Sequence, residues 1–403
     1  MQSANYRKNV LWNMIFSVLN AGQSMLLLMI VNRLAGEDVA GLFSFAFSVA
    51  VLMMNIGSYG IRNFQVSDVQ EQYSFGQYCG FRLLSCTVMA VTSAGYVLIK
   101  GFELQKSILV LLLCGMRIAE CFEDVFHGRY QQKQRLDIAC MQGTIRIMIS
   151  VAAFFMVLLL HGNIVTAVLT YTLANLLCFL IMTISTIPKF GGFQLTVERK
   201  GVLSLLMEGF PLFCGYFFIT YLGNVAKYAI DDYGTYQMQA HFNMIFMPVL
   251  VINLVSTMIF RPIIVDMATL WNQGDRFAFQ KLVWKQIGYI GILAIVMIPV
   301  SIWIGLPILS LLYGTQLKAY KYPFFLLLLG GVFSAVSSFL NVCIITIRRQ
   351  GRLLFVIAFV SVIATIAAGF FVKNMGMLGA SYLYLMLTGM QAAGYLIIEI
   401  AKR

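Results

Sequence analysis

The chain has 403 residues, of which 60% are apolar and only 11% are charged, and its formal net charge is +12. A water-soluble globular protein carries about 25% charged residues, so this composition excludes that class and indicates a polytopic membrane protein. Because the basic residues lie between apolar segments, the positive charge favours an anionic membrane surface or substrate over nucleic acid.

Apolar segments follow one another along nearly the whole chain, and a helix needs about 20 mainly apolar residues to cross a bilayer. In the first half we predict spans at about 9–32, 39–60, 78–99, 107–129, 138–160 and 164–187. After a polar linker we predict six more, at about 203–226, 237–261, 284–312, 323–347, 352–373 and 377–400. The sequence therefore predicts an all-α membrane protein with about 12 transmembrane helices.

Each half of the chain contains the same pattern of a short turn, an apolar span and a charged amphipathic segment. Gly36 and Gly234, in the two turns, are 198 positions apart, and so are Asp68 and Asp266 in the segments that follow. In the second half we expect a single amphipathic segment that extends to Lys285. Internal repeats are common in secondary transporters. We therefore predict two pseudo-symmetric six-helix lobes, residues 1–195 and 196–403.

The basic residues are divided unequally between the two sides of the predicted membrane domain. Nineteen lysines and arginines lie on the side of the termini and seven lie on the opposite side. Because cytoplasmic loops carry the excess of positive charge, both termini are predicted to be cytoplasmic.

The sequence contains no motif that indicates an enzyme, such as HExxH, a Walker loop or a dinucleotide fingerprint. The eight cysteines lack metal-ligand spacing and lie mostly in apolar segments, where we interpret them as small core residues. We therefore expect a protein without enzymatic activity, metal or cofactor.

The predicted fourth span is unusual because it carries Arg117, Glu120, Glu123, Asp124 and His127 within an arc of about 120° on one helix face. Arg146, in the next span, could face them. Ionisable groups at membrane depth are costly and usually face a cavity or a partner. One interpretation is a cluster of ion pairs that neutralise one another. The other is an ion-coupling site formed by Arg117 and the three carboxylates, with Asp124 as its main residue.

Basic residues near the ends of the spans are candidates for binding an anionic substrate. Arg33 and Lys227 lie at the outer ends of the first helix of each half, and Arg62 and Arg261 lie at the inner ends of the second helix. Each could instead anchor its helix at the membrane interface. The candidate substrate-binding residues are Arg62, Lys227, Arg261, Arg33, Arg146 and Asn224.

Four motifs resemble those of bacterial polysaccharide flippases, which belong to the multidrug/oligosaccharidyl-lipid/polysaccharide exporter superfamily. Arg261-Pro262-Ile263-Ile264, followed by Trp271-Asn272-Gln273-Gly274-Asp275, resembles the loop after that family's eighth span. Gly305–Gly314 resembles its ninth span, Gly376–Ala380 the start of its twelfth, and Gln131–Asp137 its fourth loop. Their order and spacing make the resemblance extend over essentially the whole chain.

This resemblance implies two six-helix bundles that form a V around a central, cationic cavity, in the bacterial inner membrane. It implies that the protein flips an undecaprenyl-pyrophosphate-linked oligosaccharide from the inner to the outer leaflet by alternating access, in the O-antigen, capsule or teichuronic-type branch. Expected partners are this glycan lipid, the bilayer and a polysaccharide polymerase or glycosyltransferases. Two alternatives stay open at this point: a cation-coupled multidrug exporter of the same superfamily and a membrane glycan polymerase or ligase.

Overall fold

The computed structural model describes residues 2–68, 71–193, 195–196, 198–260, 263–347 and 349–400. Within these ranges the secondary structure consists of helices and short connections, without a β-strand. The chain divides into two compact units, Met1–Phe217 and Phe218–Arg403, and the division falls inside a helix. The lobe boundary that the sequence placed after residue 195 stays a prediction.

Unit 1 contains seven helices and the first part of an eighth. They are α1 (Gln2–Ala35), α2 (Glu37–Ser58), α3 (Ile61–Ser67), α4 (Phe75–Lys100), α5 (Leu104–Gln132), α6 (Leu136–His161), α7 (Ile164–Thr186) and the start of α8 (Arg199–Tyr233). A 3₁₀ turn, Ile187–Phe190, follows α7.

Unit 2 contains the rest of α8 and six further helices. They are α9 (Tyr236–Phe260), α10 (Ile264–Asn272), α11 (Arg276–Val300), α12 (Leu306–Tyr313), α13 (Lys321–Thr346) and α14 (Gln350–Ile400). A π-helical turn, Ser301–Gly305, joins α11 and α12 into one continuous helical segment. Inside α14 the backbone of Gly376 is not helical, which divides this long helix in two.

The helices account for the twelve spans predicted from the sequence. Within the described ranges, ten helical segments are long and apolar enough to cross a membrane. The last of these, Gly351–Ile400, contains the break at Gly376 and therefore supplies two spans. The helix α5 is 29 residues long but carries too many charges to be counted among the ten. With α5 and the divided last helix, the count reaches twelve.

Local sequence features determine where several helices begin and end. Ser74 starts α4 with a capping box, in which its hydroxyl accepts from the Gln77 N–H and the Gln77 side chain accepts from the Ser74 N–H. Asn163 and Asp275 accept hydrogen bonds from the first-turn N–H groups of α7 and α11. Such caps satisfy N–H groups that would otherwise lack a partner, and they allow the connections to be short.

The second amphipathic segment differs from the sequence-based prediction. Instead of one interfacial segment that extends to Lys285, the structure has the short helix α10, a turn at residues 273–275 and then α11. Asp275 caps α11, so Arg276–Lys285 forms the start of the long membrane helix. The turn is possible because Gly274 adopts a left-handed backbone conformation with φ of 80°.

The packing of unit 1 is centred on α5, which contacts α2, α3, α4 and α7. Around it, α1 packs on α6 and α6 packs on α7. In unit 2 the central helix is α13, which contacts α9, α11 and α14. The most charged of the predicted spans is therefore the central helix of its unit, and its polar side chains must be satisfied by neighbouring helices.

Candidate functional site

One face of α5 carries the charged residues that the sequence singled out. Positions 117, 120, 123, 124 and 127 recur at helical spacing, so the side chains extend from the same side of α5. Arg117, Glu120, Glu123 and His127 are all buried. Burial of charges is tolerated only where partners replace water.

Arg146 on α6 faces this stripe, as the sequence predicted, and connects two of its carboxylates. Its Nη1 lies 2.9 Å from Glu120 Oε1 and its Nε lies 2.9 Å from Glu123 Oε2. Glu120 also binds Arg117 through its second oxygen at 2.5 Å. Arg146 additionally donates to the side-chain oxygen of Asn175 on α7. Two arginines and two glutamates therefore form a buried group in which the charges balance, and we call it the inner cluster.

His127 lies beside the inner cluster but is not tightly bound to it. Its Nε2 is 3.7 Å from Glu123 Oε1, which is beyond hydrogen-bond distance. It would form an ion pair with Glu123 only when protonated.

Asp124 belongs to a second set of ion pairs. Its Oδ1 lies 2.8 Å from Arg62 Nη1 on α3, and its Oδ2 lies 3.3 Å from Arg82 Nη2 on α4. Arg62 also donates to the side-chain oxygen of Gln131 at 3.1 Å, and Arg82 donates to the backbone carbonyl of Gly57. We call Asp124, Arg62 and Arg82 the outer cluster, because it is the more exposed of the two. Two guanidinium groups here share a single carboxylate.

The outer cluster is partly accessible. The side chain of Arg62 is 29% exposed and that of Asp124 is 22% exposed, whereas Arg82 is completely buried. With the inner cluster, four arginines contact three carboxylates, so the group carries one excess positive charge. An incoming anion could reach Arg62, because that side chain is partly exposed and is not saturated by carboxylates.

The structure separates the carboxylates that the sequence placed in one ion-coupling site. Glu120 and Glu123 share Arg146, but Asp124 is turned toward the arginines of α3 and α4. Each of the three carboxylates contacts at least one arginine, and Arg146 contacts two of them. Whether any of them couples transport to an ion stays a prediction.

Among the remaining candidates, Arg33 and Asn224 are not members of these clusters. Arg33 is exposed at the opposite end of unit 1, where α1 ends. Arg261 lies outside the described residues. In unit 2, Asn224 donates to the backbone carbonyl of Thr220 at 2.9 Å.

Lys227 is the candidate with the most unusual surroundings in unit 2. Its side chain is buried, and its Nζ lies 4.8 Å from the centre of the Phe246 ring. Within the part of the chain that the structure describes, Lys227 makes no ion pair. A buried ammonium group with only a cation–π contact is costly unless an anion joins it.

Unit 2 also contains a small polar cavity, of about 80 Å³. It is lined mainly by hydroxyl and amide side chains, including Ser334, Ser337, Asn341, Thr388 and Gln391. Polar groups at membrane depth are rare, and they indicate helix–helix hydrogen bonds or contact with a hydrophilic ligand.

Sequence reasoning missed the role of Arg82. It was counted among the basic residues that mark the cytoplasmic side, yet it is fully buried and pairs with Asp124. Its position inside an apolar segment, four residues after Tyr78, could have indicated this, because an arginine within a span usually faces a partner.

The cysteines and possible metal ligands add no further site. All eight cysteines are free, and six of them are buried, as expected for small core residues. Within the described residues, no group of three or more histidine, cysteine, aspartate and glutamate side chains could hold a metal ion.

Comparisons with known proteins define the family. A family model described as "Polysaccharide biosynthesis protein" matches residues 6–267. The capsular polysaccharide biosynthesis protein CapF of Staphylococcus aureus is 21% identical over 344 residues, which cover 84% of this chain and 85% of CapF.

Two solved structures show the same fold. The lipid II flippase MurJ, in an inward closed conformation, has a TM-score of 0.73 at 14% identity, covering 96% of this chain and 88% of MurJ. An inward-facing multidrug resistance MATE family transporter of the MOP superfamily has a TM-score of 0.64 at 12% identity, covering 95% of this chain and 92% of that one. The fold resembles that of transporters, and the family match extends over more than half of the sequence. The chain therefore belongs to the polysaccharide biosynthesis protein family.

Proposed function

We propose that the protein flips an undecaprenyl-pyrophosphate-linked oligosaccharide from the inner to the outer leaflet of the bacterial inner membrane by alternating access. The observation that carries this proposal is the excess positive charge of the two clusters on α5, with Arg62 partly exposed. A pyrophosphate-linked sugar is anionic and too polar to cross hydrocarbon unaided, so it needs a hydrated, basic path.

Arg62 is the proposed first contact for the pyrophosphate in unit 1. Its guanidinium group already binds a carboxylate and an amide oxygen, so its donors are oriented for oxygen acceptors. A phosphate that approached it would compete with Asp124. Lys227 is the proposed contact in unit 2, where an anion would compensate its buried charge.

We further propose that this competition couples transport to a cation. When phosphate replaces Asp124 at Arg62, the carboxylate keeps only Arg82 as an arginine partner and can take up a proton or a small cation. Glu120 and Glu123, with Arg117 and Arg146, keep the inner cluster neutral during the exchange. The driving ion would thus bind where substrate has displaced a carboxylate.

The excess positive charge disfavours the first alternative, a multidrug exporter for organic cations, because such a substrate would be repelled by the α5 clusters. The second alternative, a glycan polymerase or ligase, would require an elaborated loop with a catalytic group that reaches the substrate. The connections between the described helices are short, and the relatives named above are transporters or polysaccharide biosynthesis proteins.

Charge reversal tests the proposed phosphate contacts. In a deletion strain, Arg62→Glu, Lys227→Glu and Arg261→Glu should each abolish glycan export at normal protein levels, as measured by surface polysaccharide and accumulated lipid-linked glycan. Arg62→Lys and Arg261→Lys should be milder, because the charge is kept and only the forked geometry is lost. Lys318→Glu, at an exposed position of unit 2, is the matched control.

The phosphate-contact proposal is wrong if all three glutamate variants insert normally and export at the wild-type rate. These residues would then serve as anchors at the membrane interface. Inhibition of wild-type export by organic cations would instead support the multidrug alternative.

A further inference from the structure

A polar cavity of about 460 Å³ lies at the end of unit 1 that holds the start of α1. It is lined by residues of α1, by the end of α3 with Asp68 and Glu71, and by the end of α5 with the connection to α6. Amide side chains predominate among the lining residues: Asn9, Asn13, Gln131, Gln132 and Gln134. The volume lies within the range of about 300–1,000 Å³ that is typical of small-ligand sites.

Three of the five amides are oriented by contacts that engage their oxygen atoms, whereas the Gln132 nitrogen donates to the backbone carbonyls of Gln65 and Asp68. Asn9 Oδ1 accepts from the backbone N–H of Asp137 at 2.7 Å. Gln131 Oε1 accepts from Arg62 at 3.1 Å. Asn13 Oδ1 accepts from the Cys140 thiol at 3.8 Å. Within the described residues, the amide nitrogens of Asn9, Asn13 and Gln131 have no acceptor, so these side chains offer N–H donors.

The two carboxylates of the cavity are already engaged by the protein. Both oxygens of Asp68 accept hydrogen bonds from backbone N–H groups, at 2.8 and 3.0 Å. Glu71 pairs with Lys133 at 2.7 Å and with Arg129 at 2.9 Å. The hydrogen bond from Lys133 and the charge of Arg129 hold the pKa of the Glu71 carboxyl below its usual range, so it stays ionised and offsets one of their two positive charges. The free hydrogen-bonding capacity of the cavity therefore comes mainly from donors.

We propose that this cavity binds the sugar portion of the lipid-linked substrate, through the hydroxyl, acetamido carbonyl or carboxylate oxygens of the glycan. The inference rests on the proposed function. Gln131 lines the cavity and also contacts Arg62, the proposed pyrophosphate contact. A pyrophosphate at Arg62 would place its first sugar beside the Gln131 amide, and the next sugars would reach Asn13 and Asn9.

The test compares two lipids that differ only in the sugar. The probes are undecaprenyl pyrophosphate without sugar and the lipid-linked glycan extracted from the deletion strain. Binding to the purified full-length protein is measured for wild type, Asn13→Asp and Gln134→Glu. Each change keeps the side-chain shape and replaces an amide donor by an acceptor. Gln105→Glu, exposed at the opposite end of α5, is the matched control.

We expect each cavity variant to bind the glycan lipid about tenfold more weakly, since loss of a hydrogen bond and repulsion of acceptor oxygens together reach the 1.4 kcal/mol that corresponds to a factor of ten. Binding of the bare lipid should be unchanged, and the Gln105→Glu control should bind both lipids like wild type.

The inference would be overturned if both cavity variants bound the glycan lipid as tightly as the wild type does. Equal affinity of the wild type for the two lipids would also overturn it, and that result would leave the proposed function intact. Failure of the wild type to bind either lipid would contradict the proposed function and remove the basis of this inference as well.

Discussion

Asp124 and Glu120 lie one turn apart on α5 but occupy different surroundings. Asp124 is partly exposed and pairs with the partly exposed Arg62 as well as with the buried Arg82, whereas Glu120 is buried between two arginines. Exposed charges can change partners at small cost, and buried ones cannot. The two carboxylates should therefore respond differently to neutralisation.

For Asp124→Asn we expect a loss of net export while the glycan lipid still binds. The amide keeps the shape and can still accept from Arg62, but it can no longer take up a proton or a cation. Export and lipid binding are measured in parallel, and the dependence of wild-type export on pH and sodium is recorded. Asp38→Asn, at an exposed site in the first turn of α2, is the control. Normal export by Asp124→Asn would rule out coupling at this residue.

For Glu120→Gln we expect a loss of stability. The change leaves Arg117 and part of Arg146 without a negative partner in a buried site, which costs about 3–5 kcal/mol in comparable cases. The thermal unfolding temperature of the purified protein should fall clearly more than for Asp124→Asn. If Glu120→Gln instead unfolds like wild type and loses the pH or sodium dependence of export, the coupling site includes Glu120.

At the residue scale, the sequence predicted the charged stripe of α5 and the position of Arg146 opposite it. It could not predict the pairing, because which arginine reaches which carboxylate depends on how α3, α4 and α6 pack around α5. Arg82 illustrates this limit. Its side chain is buried only because Asp124 and the carbonyl of Gly57 lie within reach.

Among the helices, α14 contains the most distinctive break. Gly376 has φ of 55° and ψ of −131°, a conformation accessible almost only to glycine. Nearby, a side chain at Gly379 would collide with the backbone oxygen of Phe371. The two glycines therefore allow one span to end and the next to begin within a few residues.

Gly376→Ala should destabilise unit 2, because an alanine in this conformation costs about 1–3 kcal/mol. Gly351→Ala, in the first turn of the same helix and with open space around it, should be neutral or slightly stabilising. The comparison is made by thermal unfolding of the two purified variants. Equal unfolding temperatures would show that the backbone at Gly376 is not constrained as described.

At the element scale, all twelve spans were predictable, because apolar length is a strong pattern. The ends of the spans were harder to predict. The sequence placed the seventh span at about 203–226, whereas α8 extends over Arg199–Tyr233. The turn at residues 273–275 was missed because an amphipathic helix and two shorter helices separated by a glycine give similar periodicity.

At the scale of the whole molecule, the predicted topology rests on the distribution of basic residues, and it can be tested directly. In a cysteine-free background, Asp232→Cys should react with an impermeant thiol reagent added to intact cells, and Gln273→Cys should react only after permeabilisation. Both positions are exposed: Asp232 lies at the end of α8, near Gly234, and Gln273 directly follows α10, beside Gly274. The reverse labelling pattern would place the termini outside and invert the proposed direction of transport.

The central claim is that the protein itself moves a lipid-linked glycan across the bilayer. In the most direct test, the purified protein is reconstituted in liposomes that contain the glycan lipid in both leaflets. An impermeant glycan-cleaving enzyme is then added outside. With wild-type protein, the share of glycan lipid initially in the inner leaflet should become accessible, and with Arg62→Glu it should stay protected. The experiment is repeated with the driving ion gradient imposed in each direction. The account would be contradicted if, in both cases, folded wild-type protein left the inner-leaflet glycan lipid as protected as it is in protein-free liposomes.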